Sequence, residues 1–164
     1  MSRTSIKIST FPADREAVAA FLRGAEFARF IAECPRWNEG VVPRNRVMPV
    51  AVLPEADARA FALDDAVRLV GLSAETAAAK AAKHGNAVGD WRQLQGILDN
   101  PEYKFFRAPF EMLYYRQLRR AGKPKYRAAV VKRTRDGRWL FVKTMYWVHP
   151  EDIASAEKKW EEKK

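Results

Sequence analysis

The stretch Tyr126–Val148, YRAAVVKRTRDGRWLFVKTMYWV, decides the fold. Apolar and polar residues alternate on both sides of Asp136-Gly137, a pair suited to the tight turn whose twist matches two antiparallel strands. Counting outward from that turn sets Arg135 opposite Arg138 and Thr134 opposite Trp139. On this register one face carries Tyr126, Ala128, Val130, Lys132 and Thr134 beside Trp139, Phe141, Lys143, Met145 and Trp147. The other carries Arg127, Ala129, Val131 and Arg133 beside Leu140, Val142, Thr144 and Tyr146. The first face holds the aromatic bulk and is expected to pack on helices. The second sets Arg127 opposite Tyr146 and next to Thr144, the composition of a shallow anion-holding groove. Arginine offers a planar fork to phosphate, and hydroxyls add short donors. Threonine and tyrosine are also good strand residues in their own right, and a strand arginine also snorkels to solvent.

Outward from the hairpin, Tyr103–Ala108 and Glu111–Leu118 read as two more strands, so the C-terminal half predicts a four-stranded antiparallel sheet. Upstream, Pro12 opens a helical pattern (Val18, Phe21, Leu22, Phe27, Phe30, Ile31, Cys34) that Pro35 ends. Val50–Leu53 and Val67–Leu72 suggest short strands, and Pro54–Ala60 a helical turn. Ser73 caps an alanine-rich helix whose last turn is His84 and whose stop signal is Gly85. Asp90 is expected to cap a further helix, with Gln93 three residues on. Pro150 opens a charged helix over 151–163. The class is α+β: N-terminal helices packed on a four-stranded antiparallel sheet, with a C-terminal helix. Residues 1–62 read as a helical extension or adaptor and 63–164 as the main domain, or the whole as one compact domain.

Charge separates these parts. Residues 103–148 hold thirteen Lys and Arg against Glu111 and Asp136, a net +11, while the whole 164-residue chain is +10. A basic sheet on a balanced remainder points to a polyanion, most directly nucleic acid. Lysine and arginine also serve to keep sheet edges solvated. The single cysteine, Cys34, excludes an internal disulfide. No run of about 18 apolar residues predicts a transmembrane helix, and Met1–Thr10 lacks the apolar centre of a signal peptide. The cytoplasm is the expected site of action; a chain delivered from a larger secreted or injected protein would read alike.

Two histidines are present. His84 sits at a helix C-terminus, where the dipole favours the protonated form. Near a basic groove it suits general acid–base cleavage of a phosphodiester, and as a capping residue it would simply bond the last carbonyls. His149 reads as a turn residue. Asp64-Asp65 lacks a third ligand at a recognisable spacing, and no phosphate loop, dinucleotide fingerprint or nucleophile elbow occurs. No cofactor or metal is expected. Metal-independent cleavage favours RNA, whose 2′-hydroxyl is an internal nucleophile.

The order of motifs carries a resemblance. Val67–Ser73, the helix ending in His84, the segment DWRQLQGILDNPEY (90–103) and the strand LFVKTMYW (140–147) resemble the phage and polymorphic-toxin branch of the barnase/EndoU/colicin/RelE-like ribonuclease superfamily. The likeness covers roughly residues 66–148. It implies helices on a four-stranded antiparallel sheet with RNA on the opposite face, and metal-independent RNA cleavage by a toxin or phage-delivered effector. Carried over, the family histidine is His84, and the sheet cation is Arg127, or else Lys132 or Arg107. The last-strand threonine and aromatic are Thr144 and Tyr146. Gly85 departs from the family, in which a proline often follows the histidine. Arg107, Arg116, Lys125, Lys132 and Arg133 are the expected RNA contacts. The expected partners are RNA (tRNA among the candidates) and an acidic immunity protein. The alternative reading is a non-catalytic nucleic-acid-binding or virion structural module, for which the basic segment neutralises phosphates and His84 is inert.

Overall fold

The computed structural model describes residues 8–43, 46–63, 67–107 and 110–153. Asp64-Asp65 and most of the expected C-terminal helix lie outside them; residues 150–153 are helical. Asp14 caps α1 (Arg15–Leu22), its carboxylate accepting the Ala17 N–H at 3.1 Å. The single N-terminal helix expected from the apolar pattern is two helices: Gly24 breaks it, and α2 (Ala25–Glu33) follows. Then come β1 (Val47–Val52), α3 (Glu55–Ala60), β2 (Leu69–Ser73) and α4 (Ala74–His84). The α4 ends are as read. The Ser73 hydroxyl accepts from Thr76 N–H, and Gly85 takes the left-handed conformation (φ 68°) that lets its N–H close back on the helix. Asp90 is not an N-cap: it lies inside α5 (Val88–Trp91), where its carboxylate accepts the Ala87 N–H. After α6 (Leu94–Asp99) come β3 (Tyr103–Arg107), β4 (Glu111–Arg120), β5 (Lys123–Arg133) and β6 (Leu140–Val148).

The α+β class holds, but the sheet is mixed and six-stranded, in the order β1-β2-β6-β5-β4-β3, not four-stranded and antiparallel. The four C-terminal strands form the expected meander. Onto it β2 adds in parallel through Val70–Leu140 and Gly71–Phe141, and β1 pairs antiparallel with β2. Pro49 is accommodated because β1 is an edge strand with a register shift at that point. Gly71 is required by close approach: a Cβ there would lie 2.4 Å from Val47 Cγ1. Residues on both sides of position 62 share one core, with Phe27, Phe30 and Val50 beside Ile97, Val131 and Met145.

The hairpin turn closes through Gly137 N–H to Thr134 O, with Asp136 Oδ1 accepting from the Thr134 hydroxyl and Arg138 N–H. The register counted from it is right as far as Val131–Val142. A β-bulge at Lys143 then shifts it by one, so that Val130 faces Thr144 and Arg127 faces Trp147. The face carrying Arg127, Ala129, Val131, Leu140, Val142 and Met145 packs on the helices, not the aromatic face as expected. Small side chains let the helices approach closely, while Trp139 on the other face stays 40 % exposed. A second cluster on that other face gathers Leu113, Tyr115, Ala128, Val130 and Ile153.

Asp57 of α3 ties the helical layer to the sheet. It is 2 % exposed and receives Lys104 Nζ and the Tyr114 hydroxyl, each at 2.7 Å. Burial, and then the neighbouring Asp57 charge, raise the Tyr114 pKa. Removing the carboxylate strands a buried hydroxyl as well as the ammonium. Asp57→Ala is therefore expected to cost about 2–4 kcal/mol in urea unfolding, and Tyr114→Phe about 1 kcal/mol.

Candidate functional site

His84 is set by two local devices and one distant one. The alanine-rich α4 carries it to the last helical turn, and Gly85 ends the helix there. Asn86 then enters the interior, 3 % exposed, and its Nδ2 donates to Met145 O of β6 at 2.9 Å. The helix end is thereby fastened beside β6, and the His84 ring stacks on Tyr146 with centroids 5.9 Å apart and planes at 29°. Thr144 stands two residues before Tyr146 on the same strand and so on the same face. His84 and Tyr146 are thus brought together, with Thr144 two residues along the same face of β6. The Tyr146 hydroxyl is also tied to Tyr115, whose pKa burial raises.

Arg127 does not join them. It keeps its place on the β5 face that packs on the helices, while the bulge carries Thr144 and Tyr146 to the other face; it is 1 % exposed, and Nη2 donates to Asn86 Oδ1 at 3.1 Å and Asp90 Oδ1 at 3.0 Å. Its guanidinium carbon lies 4.7 Å from the centre of the Trp147 ring, and Arg120 lies 5.3 Å from the same ring. Its Nε has no partner among the described residues. Burial lowers the Arg127 pKa despite Asp90; arginine stays charged regardless. The groove expected from Arg127, Thr144 and Tyr146 on one surface is therefore not formed. Arg127 instead anchors the segment that follows His84.

The expected RNA contacts scatter. Arg107 and Lys132 are exposed and stand in one cross-strand row with Glu111 between them. Arg116 lies on the helical face and donates to Gly96 O at 2.7 Å. Lys125 is half-buried opposite Leu118, on that same face. Arg133 is held by Phe61 O and Arg135 O and lies over the Phe110 ring. The basic segment thus divides between the two faces, and several of its cations serve internal contacts.

The cations that do face His84 come from its own helix. Lys80 and Lys83 precede it by four and one residues, a spacing visible in the sequence, and with Arg127 they act on the imidazole. Burial first, and then these three charges, lower the His84 pKa from its ordinary 6.5. This reverses the expectation from the helix dipole. Lys80 is lowered too, by burial and by Lys83 and Lys143. A lowered imidazole is mostly neutral at pH 7 and accepts a proton; a patch of adjacent ammonium groups receives an anion. Among the described residues no group of three or more His, Cys, Asp or Glu gathers as metal ligands, and no helix is long and apolar enough to cross a membrane.

In an NMR titration the His84 ring is expected to show a midpoint below 6.5, and Lys80→Gln is expected to raise it. A midpoint indifferent to Lys80→Gln would remove that lysine from the site.

No family model, curated protein or solved structure matches this chain.

Proposed function

We propose that the chain is an endoribonuclease that cleaves RNA without a metal, with His84 as its base. The observation that carries this is the imidazole stacked on Tyr146, its pKa lowered by burial and by the charges of Lys80 and Lys83. In the step, His84 takes the proton of a ribose 2′-hydroxyl, and the 2′-oxygen forms a bond to phosphorus. The bond to the 5′-oxygen breaks, leaving a 2′,3′-cyclic phosphate, and the 5′-oxygen takes a proton from water. Lys80 and Lys83 offset the charge that builds on the non-bridging oxygens, and in this reading the Thr144 hydroxyl donates to one of them. Arg127 acts on this centre as a positioning residue, through Asn86 and Asp90. The motif order resembling the toxin and phage branch of the barnase/EndoU/colicin/RelE-like superfamily supports the same chemistry. It extends the proposal to a toxin-like or phage-associated role inside a target cell, with an acidic inhibitor as partner.

One observation favours the non-catalytic reading: the sheet arginine expected at the reaction centre is buried inside the fold and bonded to Asn86 and Asp90. That reading calls for salt-sensitive RNA binding without turnover.

Purified protein is expected to degrade RNA, tRNA included, in the presence of a chelator. His84→Ala is expected to lower the rate about 10²-fold or more while leaving the far-ultraviolet circular dichroism unchanged. Because the base works deprotonated and its pKa lies below 6.5, the rate should be level near neutrality and fall only below that pH. A protein that binds RNA yet leaves every substrate intact would be a binding module.

A further inference from the structure

The sheet face turned away from the helices holds a groove that the cleavage step does not use. It measures about 410 Å³ and lies between the start of α4 and the β5–β6 hairpin, with Ser73, Thr76, Lys132, Thr134, Phe141 and Lys143 among its walls. The register explains how they meet. Arg107, Glu111, Lys132 and Phe141 stand opposite one another across β3, β4, β5 and β6, and Gly71 of β2 continues the row. Trp139, two residues before Phe141 and hence on the same face, is 40 % exposed.

Two ammonium groups, the Thr76 hydroxyl and the Phe141 ring share a space in the size range of small-ligand sites, while the Ser73 and Thr134 hydroxyls are taken up by the α4 cap and the hairpin turn. Lys143 donates to Glu111 at 2.9 Å, and with half of its side chain exposed it can meet a phosphate from the solvent side while keeping that carboxylate. Glu75 also lines the groove. Its charge disfavours a bare polyphosphate and favours a ligand that brings one phosphate together with a ring to stack. Aromatic platforms flanked by lysine suit single-stranded nucleic acid for this reason: every base has a π-face, and the backbone meets the cations.

We infer that this groove holds one nucleotide of a single-stranded RNA, its base against Phe141 and Trp139 and its phosphate between Lys132 and Lys143. The inference deepens the nuclease reading and rests on it for the choice of RNA. Thr144 and Tyr146 continue along the same strand, and Phe141 to Tyr146 is roughly 16 Å, a span of a few nucleotides. The groove is then a subsite upstream or downstream of the scissile bond, adding affinity and substrate choice without touching the reacting atoms.

A fluorescent hexanucleotide RNA with 2′-O-methyl groups throughout lacks the attacking hydroxyl and reads binding alone. Lys132→Glu, on an exposed lysine, should weaken its binding about tenfold, and Phe141→Leu should weaken it by a similar factor. Thermal melts of each variant show whether Phe141→Leu still folds; Lys132→Glu carries the test if it does not. Binding indifferent to Lys132→Glu overturns the subsite, whatever happens to cleavage of unmodified RNA. Binding that depends on Lys132 in a protein that cleaves nothing supports the subsite and overturns the nuclease. Adenosine monophosphate competing as tightly as the hexamer overturns the assignment to a strand.

Discussion

Between Val131 and Val130 the β5–β6 ladder slips by one residue, and Lys143 is left without a cross-strand partner. Side chains in a strand alternate with period two, so the slip carries every later residue of β6 to the opposite face. Met145 turns inward and is fully buried; Trp147 turns to meet the guanidinium of Arg127. Thr144 and Tyr146 turn outward, where the last turn of α4 delivers His84 onto the Tyr146 ring. Without the bulge Tyr146 would point among the helices and Trp147 would take the outward face.

On β5, Arg127 faces the helices and leaves a charge in the interior, and the surrounding structure answers it. A buried guanidinium needs acceptors, and Asn86 and Asp90 supply them from the two sides of α5's start. Asn86 also binds the β6 backbone, so the partners of Arg127 are the residues that hold the end of α4 in place. Burial of the imidazole, and then the charges of Lys80, Lys83 and Arg127, lower its pKa.

Local signals were legible wherever neighbours in sequence set the geometry. Ser73 and Gly85 bound α4 because capping is settled within one turn of helix. The hairpin register holds up to Val131–Val142 because the turn dictates it. The Lys80–His84 spacing was equally legible, since residues four apart share a helix face. The pairing of β1 with β2 and of β2 with β6 was not, because each joins distant segments that carry no mark of each other. A bulge likewise leaves no signature in an alternating run such as LFVKTMYW. The break at Gly24 was written in the sequence, but the apolar pattern runs across it.

By itself the sequence determined the α+β class, the meander of the last four strands, a histidine at a helix end and an excess of cations over residues 103–148. Tertiary structure alone decided which face each of those cations occupies, that Arg127 is a buried anchor, and that His84 meets Tyr146. The reason is physical. Helix ends and tight turns are governed by hydrogen bonds within a few residues, whereas strand register and burial depend on contacts between segments far apart in the chain. There a one-residue slip reverses every outcome.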